Sequence, residues 1–111
     1  MAIVKNLTVD RYSTYERMFS FLDKNKNPFD LTGYTAKAQI KKYSNESLIA
    51  EFDCSVVQPP TLGRIIVTLD YGITANTDPG KYSYDVLLYS NEDTVRAVEG
   101  TIDITPNITE L

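Results

Sequence analysis

The segment Asp78-Pro-Gly-Lys-Tyr-Ser-Tyr-Asp-Val-Leu-Leu-Tyr89 gives the clearest indication of the fold class. Turn-forming residues open it, and apolar side chains then recur at every second position, as in a strand with one buried face. We therefore predict a strand over residues 81–89 whose inward side chains are Tyr82, Tyr84, Val86 and Leu88. The opening Asp-x-Gly-x-Tyr predicts a tyrosine corner formed by Asp78, Gly80 and Tyr82, in which the phenol hydroxyl bonds to the backbone a few residues upstream. The alternative is that Tyr82 is an ordinary core aromatic residue.

The same two-residue period recurs on both sides of this segment. Downstream, the turn Ser90-Asn-Glu-Asp93 leads into a last strand over residues 94–105. Upstream, turn-forming residues separate five more predicted strands, over residues 3–9, 15–22, 34–42, 48–56 and 64–69. The second of these is apolar on both faces, since Met18 and Leu22 alternate with Phe19 and Phe21. The strand at 48–56 can pair with the strand before it or with the strand after it, and alternation leaves both open.

Seven short strands with no helix of consequence predict one all-β domain over residues 1–111, an immunoglobulin-like antiparallel sandwich. Cys54 is the single cysteine, so no intramolecular disulfide can form and packing must supply the stability. Tyr84 stands where antibody domains have a cysteine, and the chain has no tryptophan. We therefore expect a disulfide-free member of this fold class.

The charge balance of the chain argues against two classes of binding partner, nucleic acids and membranes. The formal net charge is −4, and the lysines have acidic residues close by in the chain. A surface that reads phosphates needs clustered Lys and Arg, so we expect neither a nucleic-acid nor a membrane partner. The opening residues lack the pattern of a signal peptide, and no apolar run approaches the roughly 20 residues that span a bilayer. We expect a protein made and used in a soluble compartment.

The sequence has few of the residue patterns that are typical of catalytic or metal-binding sites. The chain has no histidine, which removes the commonest general base and the commonest metal ligand. The stretch Asp23-Lys-Asn-Lys-Asn27 resembles the opening of a calcium loop, but Pro28 stands where that loop needs glycine, so a turn is favoured. Cys54 lies on an inward face and is a poor nucleophile there. We predict no enzyme activity and no cofactor.

The sequence predicts exposed apolar side chains on the last two strands and at the C-terminus. An isolated domain would not need such a surface. Alternation places Leu87 and Tyr89 on the outer face of the hairpin, with Val95 and Ala97 beside them. An apolar outer face suggests a partner surface, although a loop or terminus could cover it. Beyond the last strand, Ile108 and Leu111 either fray or dock on a neighbour. The candidate protein interface is therefore Leu87, Tyr89, Val95, Ala97, Ile108 and Leu111.

Several motifs in a fixed order resemble one family over nearly the whole chain. They are Phe29-Asp-Leu-Thr-Gly-Tyr-Thr-Ala-Lys-Ala-Gln-Ile40, Gly63-Arg-Ile-Ile-Val-Thr-Leu69, Ile73-Thr-Ala, Pro79-Gly-Lys-Tyr-Ser-Tyr-Asp-Val86 and Val98-Glu-Gly-Thr-Ile-Asp-Ile-Thr-Pro106. This order is similar to that of small virion proteins of tailed bacteriophages, including the immunoglobulin-like N-terminal domain of upper baseplate proteins. The loop before Arg64 departs from the family, because Gln58-Pro-Pro-Thr-Leu62 replaces a turn rich in glycine and aspartate.

The resemblance implies a non-enzymatic building block of the virion, assembled in the bacterial host cytoplasm. Its partners would be other virion proteins and copies of itself, in the tail, neck or baseplate. An alternative is a capsid decoration (cement) protein on the outside of the head. A different class is a host-surface binding module, for which Tyr12, Tyr43 and Tyr71 are the aromatic candidates.

Overall fold

Strands account for most of the computed structural model, which describes residues 3–45 and 47–106. Alternating apolar residues drive this, since each strand can bury one face and leave the other in water. The described strands are β1 (Ile3–Val4), β2 (Leu7–Asp10), β3 (Tyr15–Ser20), β4 (Thr35–Lys42), β5 (Leu48–Val56), β6 (Arg64–Leu69), β7 (Gly80–Tyr89) and β8 (Thr94–Thr105). A 3₁₀ turn at Pro60–Leu62 precedes β6, and helix α1 (Tyr71–Ala75) follows it.

The strands form two layers that β5 joins. The first sheet has the order β1/β2, β8, β7, β4, β5, and the second has the order β5, β6, β3. The first part of β5 pairs with β4, and its last four residues, 53–56, pair with β6. The strand whose partner the sequence left open therefore pairs with both neighbours. β1 and β2 run parallel to β8, whereas the other pairs are antiparallel. This is the predicted immunoglobulin-like β-sandwich without a disulfide.

Two of the predicted strands differ from the structure. The predicted strand at 3–9 is split, because Lys5 and Asn6 separate β1 from β2. The predicted strand at 15–22 ends at Ser20, after which Phe21 bonds through its N–H to the Gly63 carbonyl at 2.8 Å. Leu22 then forms an isolated bridge to Pro28. The other five predicted strands agree with the structure to within one residue at each end.

The inner faces of the two sheets meet in one core. All four side chains predicted to point inward from β7 are buried, and the Phe52 and Tyr84 rings pack edge to face with centroids 6.1 Å apart. Burying each such aliphatic or aromatic side chain contributes about 1.5–3 kcal/mol. The largest fully buried side chains are Leu31, Ile40, Ile65, Leu69, Leu88 and Ile102.

Helix α1 closes one end of the sandwich. Asp70 caps it by accepting a hydrogen bond from the Gly72 N–H at 3.4 Å. Thr74 is fully buried, and its hydroxyl donates to the Ser13 carbonyl at 2.7 Å. The Arg11 Nε donates to the Ala75 carbonyl at 3.2 Å. These bonds fix residues 11–14, which connect β2 in the first sheet to β3 in the second.

Candidate interaction surfaces

The outer face of the β7–β8 hairpin is less apolar than the sequence predicts. The ladder slips by one residue between Val86 and Leu87, which is a β-bulge at Ala97. A bulge reverses the alternation on one side of it, so the residues before Ala97 change face. Ala97 is fully buried, and Val95 lies opposite the buried Leu88. The prediction that Val95 and Ala97 lie on the outer face with Leu87 and Tyr89 is therefore wrong.

Charged side chains occupy the centre of this outer face. Leu87 lies between Lys37 on β4 and Arg96 on β8 in the ladder and is half-buried. Asp85 and Glu99 lie directly opposite each other. Like charges in that position repel, but Arg96 reaches both: its Nε is 3.4 Å from an Asp85 carboxylate oxygen and its Nη1 is 3.5 Å from a Glu99 oxygen.

Of the six predicted interface residues, two therefore remain on this outer face. Tyr89 is 39% exposed at the end of β7, and Leu87 is its neighbour on the same face. Ile108 and Leu111 lie outside the residues that the structure describes. We name the surface formed by Leu87 and Tyr89 the β7 patch.

A second apolar surface lies on the opposite side of the sandwich. Met18 on β3 is 49% exposed and lies opposite the half-buried Ile66 on β6. Leu22, just beyond β3, is 55% exposed. The sequence indicates this surface, since the predicted strand at 15–22 has apolar residues on both faces. The predicted interface does not include it. We name the surface formed by Met18 and Ile66 the β3 patch.

The N-terminal edge of the first sheet is held at its break, Lys5 and Asn6, by three hydrogen bonds. The Lys5 N–H donates to the Glu99 carbonyl at 2.9 Å, and the Thr101 N–H donates to the Asn6 Oδ1 at 3.1 Å. The Tyr84 hydroxyl donates to the Lys5 carbonyl at 2.6 Å. Before the break, Val4 is 65% exposed.

Gly100 makes this close approach possible. A Cβ at Gly100 would lie 2.1 Å from the Lys5 carbonyl oxygen, much closer than van der Waals contact allows. Residue 100 must therefore lack a side chain for the Lys5–Asn6 break to pack on β8. The requirement for glycine at residue 100 cannot be predicted from the sequence, because it depends on which segment packs against β8.

An open groove of about 470 Å³ lies on the outer face of the first sheet. Gln39, Asp85 and Glu99 lie in one cross-strand row along it, and Val4 continues that row on β1. At its rim Tyr43 is 60% exposed, with the Lys81 ammonium 5.6 Å from its ring centroid. The groove therefore combines an accessible aromatic ring with charged and amide side chains.

The three aromatic candidates for a host-surface site lie at one end of the sandwich. β2, β4 and β6 run in the same direction, so the residues that follow each strand share that end. Tyr12 follows β2, Tyr43 follows β4 and Tyr71 opens α1 after β6. Of these three tyrosines, Tyr43 lines the groove.

The Tyr82 hydroxyl forms the hydrogen bond that defines a tyrosine corner. It donates to the Asp78 carbonyl at 2.5 Å, four residues upstream. Burial raises the pKa of Tyr82, and the nearby Asp78 carboxylate raises it further. The bond fixes the start of β7 to the connection that carries α1.

Two features of the sequence were considered for metal binding and catalysis, the Asp23–Asn27 stretch and Cys54, and the structure shows what surrounds each. The Asp23 carboxylate accepts from the N–H groups of Asn25 and Asn27 at 2.8 and 3.0 Å, which closes a turn. Burial raises the pKa of the Cys54 thiol to about 11, and the Asp53 and Glu51 carboxylates add to that shift, so little thiolate forms near neutral pH. Within residues 3–45 and 47–106, no group of three or more His, Cys, Asp or Glu side chains is placed to hold a metal ion.

Comparison with known proteins gives a fold and no family. No protein-family model matches the chain, and no curated protein matches its sequence. The crystal structure of CopC from Methylosinus trichosporium OB3b is similar, at 11% identity and a TM-score of 0.52, over 96% of this chain and 89% of that one. At this identity the similarity shows a shared fold alone. In the described part of the chain, no helix is long and apolar enough to cross a membrane.

Weaker structural similarities extend to parts of larger chains. Listeria monocytogenes InlP aligns at 13% identity over 91% of this chain and 26% of that chain, with a TM-score of 0.47. A chain in the complex of ICOS with ICOS-L and an anti ICOS-L VNAR domain aligns at 16% identity over 94% of this chain and 56% of that chain, with a TM-score of 0.44.

Proposed function

We propose that this protein is a non-enzymatic structural protein of a tailed-bacteriophage virion, repeated in the tail, neck or baseplate. The observation that carries the proposal is the exposure of apolar side chains on opposite sides of the sandwich. Tyr89 of the β7 patch is 39% exposed, and Met18 of the β3 patch is 49% exposed. The resemblance of the order of sequence motifs to that of small phage virion proteins supports the same role.

Two patches on opposite faces suit a repeated component. A ring of more than two copies needs two different complementary surfaces on each protomer. In such a ring, the β7 patch of one copy contacts the β3 patch of the next. The charges around Leu87 then set the orientation of the neighbours, because Lys37 and Arg96 flank it in the ladder.

Substitution of each patch tests this assignment in a phage whose own copy of the gene is replaced. We expect Leu87→Asp with Tyr89→Asp, and separately Met18→Asp, to abolish incorporation into virions while the purified variants keep their β circular dichroism. Tyr71→Asp is the matched control, because Tyr71 is 49% exposed and lies outside both patches. Normal incorporation of both patch variants would contradict the proposed contacts.

The capsid decoration role is the alternative placement within the virion. It would use the N-terminal edge, where Val4 is 65% exposed, as an arm on a capsid subunit. Deletion of residues 1–6 should then weaken attachment to the capsid without unfolding the sandwich. Unchanged attachment would count against this role.

The groove favours a host-surface binding module as a second candidate function. An exposed aromatic ring beside planar polar side chains is suited to stacking on a sugar ring and bonding its hydroxyls. Tyr43 supplies the ring, and Gln39 and Asp85 supply polar groups. A glycan array with the wild-type protein and with Tyr43→Ala tests this function, and absence of any Tyr43-dependent signal removes it.

A further inference from the structure

The N-terminal segment of residues 3–10 carries β1 and β2 and has one strand neighbour. Among the described strands, β1 and β2 pair only with β8. Leu7 and Val9 are 2% and 0% exposed, so the segment contributes side chains to the centre of the core. Its ladder continues to Arg11, whose N–H donates to the Thr105 carbonyl at 3.0 Å. The segment therefore occupies a defined position along the edge of β8, and we call this position the slot.

The connection that returns this segment to its own domain is short and strained. Residues 11–14 cross from the first sheet to the second, and Tyr12 has φ = 67°. This is the left-handed region, which costs free energy for a bulky L-residue. The turn is held by the Arg11 bond to Ala75 and the Thr74 bond to Ser13. In an extended connection, Tyr12 would adopt an ordinary negative φ.

We propose that the residue 3–10 segment is exchanged between copies of this chain, each copy inserting it into the slot on β8 of a neighbour. The inserted segment makes the same contacts as in the closed monomer, because the two chains have the same sequence. The exchange therefore loses no core packing and releases the strain at Tyr12. This inference rests on the proposed function, since it names a second copy as the partner of the repeated building block.

The connection also limits the geometry of the assembly. From Asp10 to Tyr15 a fully extended chain spans at most about 17 Å, so donor and acceptor domains must lie side by side. Each copy then carries two different surfaces, a donor segment and an acceptor slot. Head-to-tail exchange of this kind can close into a ring.

Isotope-filtered NMR on the full chain tests the exchange directly. Uniformly labelled and unlabelled protein are mixed and equilibrated at high concentration, and contacts between labelled and unlabelled chains are recorded. Because Val9 pairs with Ile104, exchange predicts an interchain signal between their methyl groups. Oligomers without this signal, or a protein that stays monomeric, would overturn the inference.

A pair of glycine variants tests the part played by the strained connection. Tyr12→Gly removes the cost of the positive φ in the closed form, so the dissociation constant of the exchanged oligomer should rise about tenfold. Lys26→Gly is the matched control, since Lys26 has φ = 66° in the Asp23–Asn27 turn, outside the connection. Its dissociation constant should stay within about twofold of wild type. Equal shifts for the two variants would contradict the mechanism.

The failure of this inference is distinguishable from the failure of the proposed function. A chain that is abundant in virions but gives no interchain Val9–Ile104 signal is a virion protein that does not exchange its strand. A chain that gives the signal in solution but is absent from virions exchanges its strand in some other assembly.

Discussion

The Tyr84 hydroxyl donates a hydrogen bond to the Lys5 carbonyl oxygen at 2.6 Å, across 79 residues of sequence. The Tyr84 side chain is 4% exposed, so the bond forms at the edge of the core. It joins β7 to the break between β1 and β2 at the N-terminal edge. The close packing of Lys5 on the first sheet therefore depends on the Tyr84 hydroxyl and on the space left by Gly100.

Removal of the Tyr84 hydroxyl should weaken this attachment. Tyr84→Phe keeps the buried ring and leaves the Lys5 carbonyl without this donor, so we expect a loss of about 1–2 kcal/mol in the free energy of unfolding. Urea denaturation measures it. Tyr43→Phe is the control, because the Tyr43 side chain is largely exposed, and it should change stability by less than about 0.5 kcal/mol. Equal stability of Tyr84→Phe and wild type would show that the bond contributes nothing net.

The same residue predicts a dependence of stability on alkaline pH. Burial raises the pKa of Tyr84 to about 12, with a further contribution from Tyr15. In the unfolded chain the phenol ionises near its ordinary value of about 10. The stability that neutral Tyr84 contributes is therefore complete below about pH 10 and is lost as the pH rises toward 12. Urea midpoints across this range should fall more steeply for wild type than for Tyr84→Phe, and parallel curves would contradict the assignment.

Addition of one methyl group at Gly100 should disrupt the N-terminal edge. The new Cβ would overlap the Lys5 carbonyl, so Gly100→Ala should cost about 2 kcal/mol or more. Gly72→Ala is the matched control, since its Cβ would meet only the Asp70 carboxylate within 4 Å, at 3.4 Å, and it lies in α1. That variant should be neutral or up to about 1 kcal/mol more stable, because alanine favours a helix. Thermal unfolding compares them, and similar changes in melting temperature would exclude the predicted clash.

The tyrosine corner predicts a separate loss of stability. Tyr82→Phe removes the hydrogen bond to Asp78 and should cost about 0.5–1.5 kcal/mol. Hydrogen exchange should also quicken at the start of β7, which the bond fixes to the α1 connection. Tyr71→Phe is the control in the same connection, because Tyr71 is 49% exposed. Unchanged exchange at Gly80 and Lys81 in Tyr82→Phe would mean that the corner does not order this segment.

The stability that the charged side chains on the outer face of the β7–β8 hairpin contribute should depend on salt concentration. Arg96→Ala leaves Asp85 and Glu99 opposed without the shared cation, and we expect a loss of up to about 1 kcal/mol at low ionic strength. Added NaCl should shrink this difference, since salt screens exposed charges. Lys24→Ala removes the same charge from an exposed turn and controls for net charge. A loss that persists in high salt would point to packing of the Arg96 stem instead.

Most of the strands could be predicted from the sequence, because alternation of apolar residues reports directly which face is buried. The faces of the last strand could not, because Val95-Arg-Ala-Val98 fits two alternations and only the pairing with Val86 and Leu87 places the bulge at Ala97. The break at Lys5 and Asn6 cannot be predicted either, since it depends on the lack of a side chain at Gly100 on another strand.

The copy number of this chain in purified virions is the most direct test of the proposed structural role in the particle. Quantitative mass spectrometry against the major capsid protein measures it. A component that closes around the tail axis predicts copies on the order of ten per particle. Hundreds of copies would move the protein to the capsid surface or along a long tail tube. Absence of the chain from purified virions would contradict a structural role in the particle.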